Sequence, residues 1–160
     1  MRDATSALTH AFGIGVIAGL RSMMAPAVVS WAAHRKDLDL QDSRLAFLGD
    51  APAPYVCTAL ALAELVGDKL PKTPSRKSPG PFMARVVLGA LSGAALSMAA
   101  KQSSLVGALL GGLGAVAGTL GGYEARTRLV KAIHGPDAEI AVLEDAVAIG
   151  GGVFLVSRGS

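Results

Sequence analysis

The sequence predicts an all-α, polytopic transmembrane helical bundle, and three observations carry that expectation. Long uncharged apolar runs alternate with short charged stretches, 51% of the 160 residues are hydrophobic, and mean hydropathy is +0.47. Only 17% are charged, against roughly 25% in soluble domains. Most of the twenty glycines fall inside the apolar runs, where each would cost a soluble helix about 1 kcal/mol but lets helices approach closely in lipid. The whole chain, residues 1–160, reads as one integral membrane domain.

About five stretches approach the ~20 residues that cross a hydrocarbon layer. The first, Ala7–Ala33, follows Arg2 as a signal peptide core would, but its length and Arg21 inside it argue against cleavage. Pro26 lacks a backbone donor and breaks this helix into two halves, freeing carbonyls near Arg21. Between His34 and Asp50, apolar Leu38, Leu40, Leu45, Phe47 and Leu48 stand among Asp and Arg, as in a short interfacial helix. The second stretch, Ala51–Leu70, stops at Pro71, and four prolines in 71–81 exclude helix before the third, Phe82–Ala100. Leu105–Tyr123 and Ala138–Ser157 are the fourth and fifth. Gly15–Gly19 is echoed by Gly114–Gly118, and each precedes an acidic pair in the next stretch. That echo points to an inverted repeat, a transporter pattern.

With five crossings, nine Lys and Arg fall on the N-terminal side and five on the other. The positive-inside rule then puts the N-terminus in the cytoplasm and the C-terminus outside. The basic, proline-rich 71–81 loop fits topology determination better than binding to anionic headgroups.

The residues able to carry chemistry are Arg21, Glu64, Asp68, Glu144 and Asp145, all inside apolar stretches. A charge at bilayer depth costs roughly 2.5–3.5 kcal/mol, so it faces a partner, a cavity or an ion. Glu64 and Asp68, four apart, share a helix face. Glu64 lies on the order of 10 Å from the end of its helix at 1.5 Å per residue, and Glu144 about as far into the last, which runs the other way. Both acids therefore reach one depth, with Arg21 as the obvious counter-ion. Four carboxylates exceed one guanidinium, and the surplus is relieved by protonation, a bound cation or water. A purely structural use of the same charges, locking helices together, is the competing reading.

Gly107, Gly111, Gly114, Gly118 and Gly122 form a ridge with spacings of four, three, four and four. It is a helix-packing surface, and a homodimer along it is expected if five short helices are to enclose a pathway. No Gly-x-x-x-x-Gly-Lys-Ser/Thr loop, HExxH or Gly-x-Ser-x-Gly occurs. Cys57 is alone, and His10, His34 and His134 are scattered. No metal set or cofactor motif emerges. A net charge of +3, with the basic residues beside spans, speaks against nucleic acid.

Gly19-Leu20-Arg21, Glu64-x-x-x-Asp68-Lys69-x-Pro71 and Glu144-Asp145 together resemble an uncharacterised family of small bacterial integral membrane proteins, catalogued as a domain of unknown function. The resemblance covers nearly the whole chain and implies a bacterial inner-membrane location. It brings no activity. The residues themselves favour a non-enzymatic transporter or channel-like protein with an acidic intramembrane cation or proton site. The alternatives are a membrane scaffold held by ion pairs and, behind it, an enzyme acting on lipid.

Overall fold

The computed structural model describes residues 4–67, 78–133 and 137–159, with the side chains of 133, 137–139 and 158–159 excepted. The described residues form six α-helices: α1 (Ala4–Leu20), α2 (Met24–His34), α3 (Pro52–Gly67), α4 (Pro79–Ala99), α5 (Ser104–Ile133) and α6 (Asp137–Gly159). No strand occurs among the described residues. By length and composition α4, α5 and α6 can each cross a membrane, whereas α1 and α3 are shorter apolar helices. The protein is thus an all-α helical bundle suited to a bilayer.

Glycine decides the centre. A Cβ at Gly15 would collide with the Gly111 carbonyl, one at Gly19 with that of Ala115, and one at Gly118 with that of Val16, so α1 and α5 touch backbone to backbone. Gly93 meets Gly107, and Gly89 meets Gly111, so α4 lies against α5 in the opposite direction. Such contacts replace the hydrophobic driving force that lipid does not supply. The ridge from Gly107 to Gly122 is therefore filled from within the chain, and a dimer would need another face. The echoed stretches Gly15–Gly19 and Gly114–Gly118 run parallel and pack on each other, without inversion.

The first apolar stretch is broken, but not where Pro26 would break it. Pro26 is the third residue of α2, inside the first turn, where its missing N–H costs nothing. The break is at Arg21–Met23, and the chain reverses there. Gly152 of α6 lies beside both Ile17 of α1 and Val28 of α2, which places these two residues at one level on either side of the turn. Leu155 lies further back along α1, beside Gly13, while Val156 and Ser157 lie further forward along α2, near Trp31. Hence α1 and α2 form a hairpin with its apex inside the bundle.

Six helices therefore alternate in direction. Ala4 and Gly159 stand at one end, the termini side, and the Arg21–Met23 turn faces the other, the apex side. The sequence places the termini on opposite sides; in the bundle they stand at one end, because the chain turns back at Arg21–Met23. Three smaller differences have local causes. Pro79 and Pro81 start α4 instead of preceding it, since prolines fit a first helical turn. The α5 helix continues past Tyr123 to Ile133, supported by an Arg128–Glu124 ion pair at 2.9 Å. Between α2 and α3 only a 3-10 turn forms, Ala46–Gly49. Leu38, Leu40 and Leu48 of that segment enter the core rather than lying on an interface.

Candidate functional site: the charged apex of the α1–α2 hairpin

Reversing a chain inside an apolar bundle leaves backbone groups to satisfy, and each unsatisfied one costs several kcal/mol by rough estimate. The turn keeps helical bonds where it can: Arg21 N–H donates to Ile17 O at 2.8 Å, and Met24 N–H to Arg21 O at 3.2 Å. Thr119 of α5 donates its hydroxyl to the Gly19 carbonyl at 3.2 Å. At the start of α2, two amides have lost their helical acceptors. Glu64 of α3 takes both: Ser22 N–H donates to Oε1 at 2.8 Å and Met23 N–H to Oε2 at 2.9 Å, with the Ser22 hydroxyl also on Oε1 at 2.8 Å. A carboxylate from another helix thus caps α2, where the helix dipole favours negative charge.

The cations arrive from three elements. Arg21, only 1% exposed, donates its Nε to Asp145 Oδ1 of α6 at 2.7 Å, and a second guanidinium nitrogen reaches the same oxygen. Arg85 of α4, 4% exposed, lies 3.7 Å from Glu64 Oε1. Arg126 of α5 lies 3.7 Å from Glu144 Oε2. Asp145 is five residues inside the apolar window that starts at Ile140, so the cluster sits about 8 Å within that span at 1.5 Å per residue.

Of the five residues expected to form a site, Arg21, Glu64 and Asp145 meet at the apex. Glu144 turns to the α5 side of α6, beside Gly122 and Arg126, because successive helical residues point about 100° apart. Asp68 lies outside the described residues. Arg85 and Arg126 enter the sequence reading only as charges in the side-to-side count, and Ser22 and Thr119 do not enter it, since their roles depend on the chain reversal. Among the described residues no group of three or more His, Cys, Asp or Glu could hold a metal ion.

A sequence profile described as a domain of unknown function, DUF4126, matches residues 8–157. The chain belongs to the DUF4126 family. No curated protein and no solved structure matches this DUF4126 chain. The match runs from within α1 almost to the end of α6, so the hairpin apex and every ion pair described above lie inside the family domain.

Proposed function

We propose that this DUF4126 protein is a small transporter or channel-like protein of the bacterial inner membrane, without a catalytic step, that moves protons or a small cation through the charged apex. The observation that carries the reading is the re-entrant hairpin. Non-helical backbone at bilayer depth persists where it is buried in protein or lines a pathway, and interrupted helices with charged partners recur in transporters. Glu64 and Asp145 flank the turn from two different helices, so protonation of either would change how α3 or α6 is held. Among the ions, a proton suits best, since the described carboxylates do not gather as a metal-ligand group. Arg21, Glu64, Asp145 and, at one remove, Glu144 are the residues proposed to act, with Asp68 expected at the mouth of the same helix.

One observation favours the second reading, a structural scaffold: Arg21, Arg85 and Arg126 each reach a carboxylate on another helix, Asp145, Glu64 and Glu144 respectively. In a transporter these pairs exchange partners during the cycle; in a scaffold they never part. Flux of protons and cations into proteoliposomes separates the two. Transport predicts flux that Glu64→Gln and Asp145→Asn abolish while the protein still inserts. A scaffold predicts no flux in wild type and lower detergent stability in the variants.

The alternation of the helices supports a reading of orientation. By chain order, eight Lys and Arg from Lys69 to Lys131 belong to the apex side and six, from Arg2 to Arg158, to the termini side. We propose that the apex side faces the cytoplasm, which reverses the N-terminal placement expected from five crossings. A homodimer, if formed, would use the outward faces of α3, α5 or α6.

A further inference from the structure

We infer that α3 is a hinged wall of the bundle, pinned through its N-terminal half by Trp31 and latched at its C-terminal end by Glu64, and that protonating Glu64 opens the latch. The inference takes its purpose from the transport reading; its geometry stands apart from it.

The α3 helix is held unevenly. Only Pro54 and Ala61 are buried, and Tyr55, Val56, Leu60, Leu62 and Val66 all point outward. Its N-terminal half has several ties to α2. Trp31 Nε1 donates to Thr58 Oγ1 at 2.9 Å, the Trp31 ring meets Tyr55 edge-on at 5.2 Å, and Ser30 Oγ lies 3.7 Å from Cys57 Sγ. Toward the other end, Glu64 makes three hydrogen bonds to the Arg21–Met23 turn and an ion pair with Arg85. Between anchor and latch lies one small buried residue, Ala61.

The groups facing Glu64 explain why a proton would release it. From the hairpin turn come the Ser22 hydroxyl and two amides, which can only donate and which occupy one carboxylate oxygen each. From α4 comes the Arg85 cation. Arg21, next to Ser22, is engaged by Asp145 of α6. On its own helix the next acid, Asp68, lies outside the described residues. A carboxylate is acceptor-only and fits this surround with both oxygens; a protonated carboxyl carries a donor of its own and meets donors on either side. Protonation also removes a charge that Arg85 faces. The C-terminal half of α3 then swings about Trp31, opening Ser22, Met23 and Arg85 to the apex side.

The test uses thiol accessibility in vesicles. Cys57, the single cysteine of the chain, sits beside the anchor. A second protein, Cys57→Ser with Ala61→Cys, places the thiol between anchor and latch. Maleimide labelling is measured with Glu64 and with Glu64→Gln at one pH. The hinge predicts labelling at position 61 faster by about tenfold or more in the Glu64→Gln protein, the scale set by losing charge-assisted hydrogen bonds, with Cys57 unchanged. The same rise appears reversibly in the Glu64 protein as pH falls, relative to a free-thiol peptide, which keeps the test valid if Glu64→Gln folds poorly. Unchanged labelling at 61 in both experiments overturns the latch, and equal acceleration at 57 and 61 overturns the hinge. Either result is independent of whether the protein shows flux.

Discussion

One oxygen of Glu64 accepts two hydrogen bonds from Ser22, from its amide and its hydroxyl, across forty-two positions of sequence. This relationship makes a mid-bundle chain reversal affordable: the amides exposed by the turn meet a full negative charge instead of hydrocarbon. Glu64→Ala leaves the Ser22 and Met23 amides without that acceptor and should destabilise the protein by about 2–3 kcal/mol. Glu64→Gln, which keeps one acceptor oxygen, should lose less. Thermal unfolding in detergent, followed by helical circular dichroism, ranks the three proteins.

Arg21 and Asp145 form a buried ion pair between the hairpin turn and α6. Removing one partner strands a buried charge at a cost of about 3–5 kcal/mol, whereas replacing both with apolar residues of similar size comes close to neutral. Arg21→Met and Asp145→Leu should therefore each be severe, and the double variant should recover most of the loss. A double-mutant cycle on detergent stability measures the coupling directly.

The glycines divide into two groups by their surroundings. Gly15→Ala and Gly111→Ala drive a methyl group into facing backbone and should prevent the α1–α5 contact from closing. Gly121 and Gly150 have nothing within 4 Å of an added Cβ, so alanine there should be neutral or stabilising by up to about 1 kcal/mol through helix propensity. Expression yield and unfolding temperature of the four variants test the division.

How much of this was legible in the sequence depended on whether local pattern or three-dimensional path governed each feature. Hydropathy located the apolar stretches, and spacing identified the Gly107–Gly122 ridge, because each is a property of one helix. The partner across the ridge was not legible, since Gly15 and Gly19 meet it from ninety-odd residues away. Pro26 correctly signalled a broken helix but not a reversal, because a proline in a first turn tolerates either path. Arg85 and Arg126 looked like boundary charges, as basic residues near span ends usually are; only packing shows that they turn inward to Glu64 and Glu144.

The alternating bundle makes its own prediction about sidedness. Reporters fused ahead of α1 and after α6 should respond from the same side of the membrane, since Ala4 and Gly159 share one end. A cysteine placed at Ser78, just before α4, should respond from the opposite side. Reporters split between the two sides would show that the first stretch crosses instead of turning back.

Proton uptake by proteoliposomes under an imposed membrane potential decides whether the charged apex conducts protons or small cations. Wild-type protein should acidify the lumen well above protein-free vesicles, and Glu64→Gln should return uptake to that background. Wild-type uptake equal to that of empty vesicles, together with no movement of any tested cation, would contradict the claim and leave the ion pairs as fastenings of a static bundle.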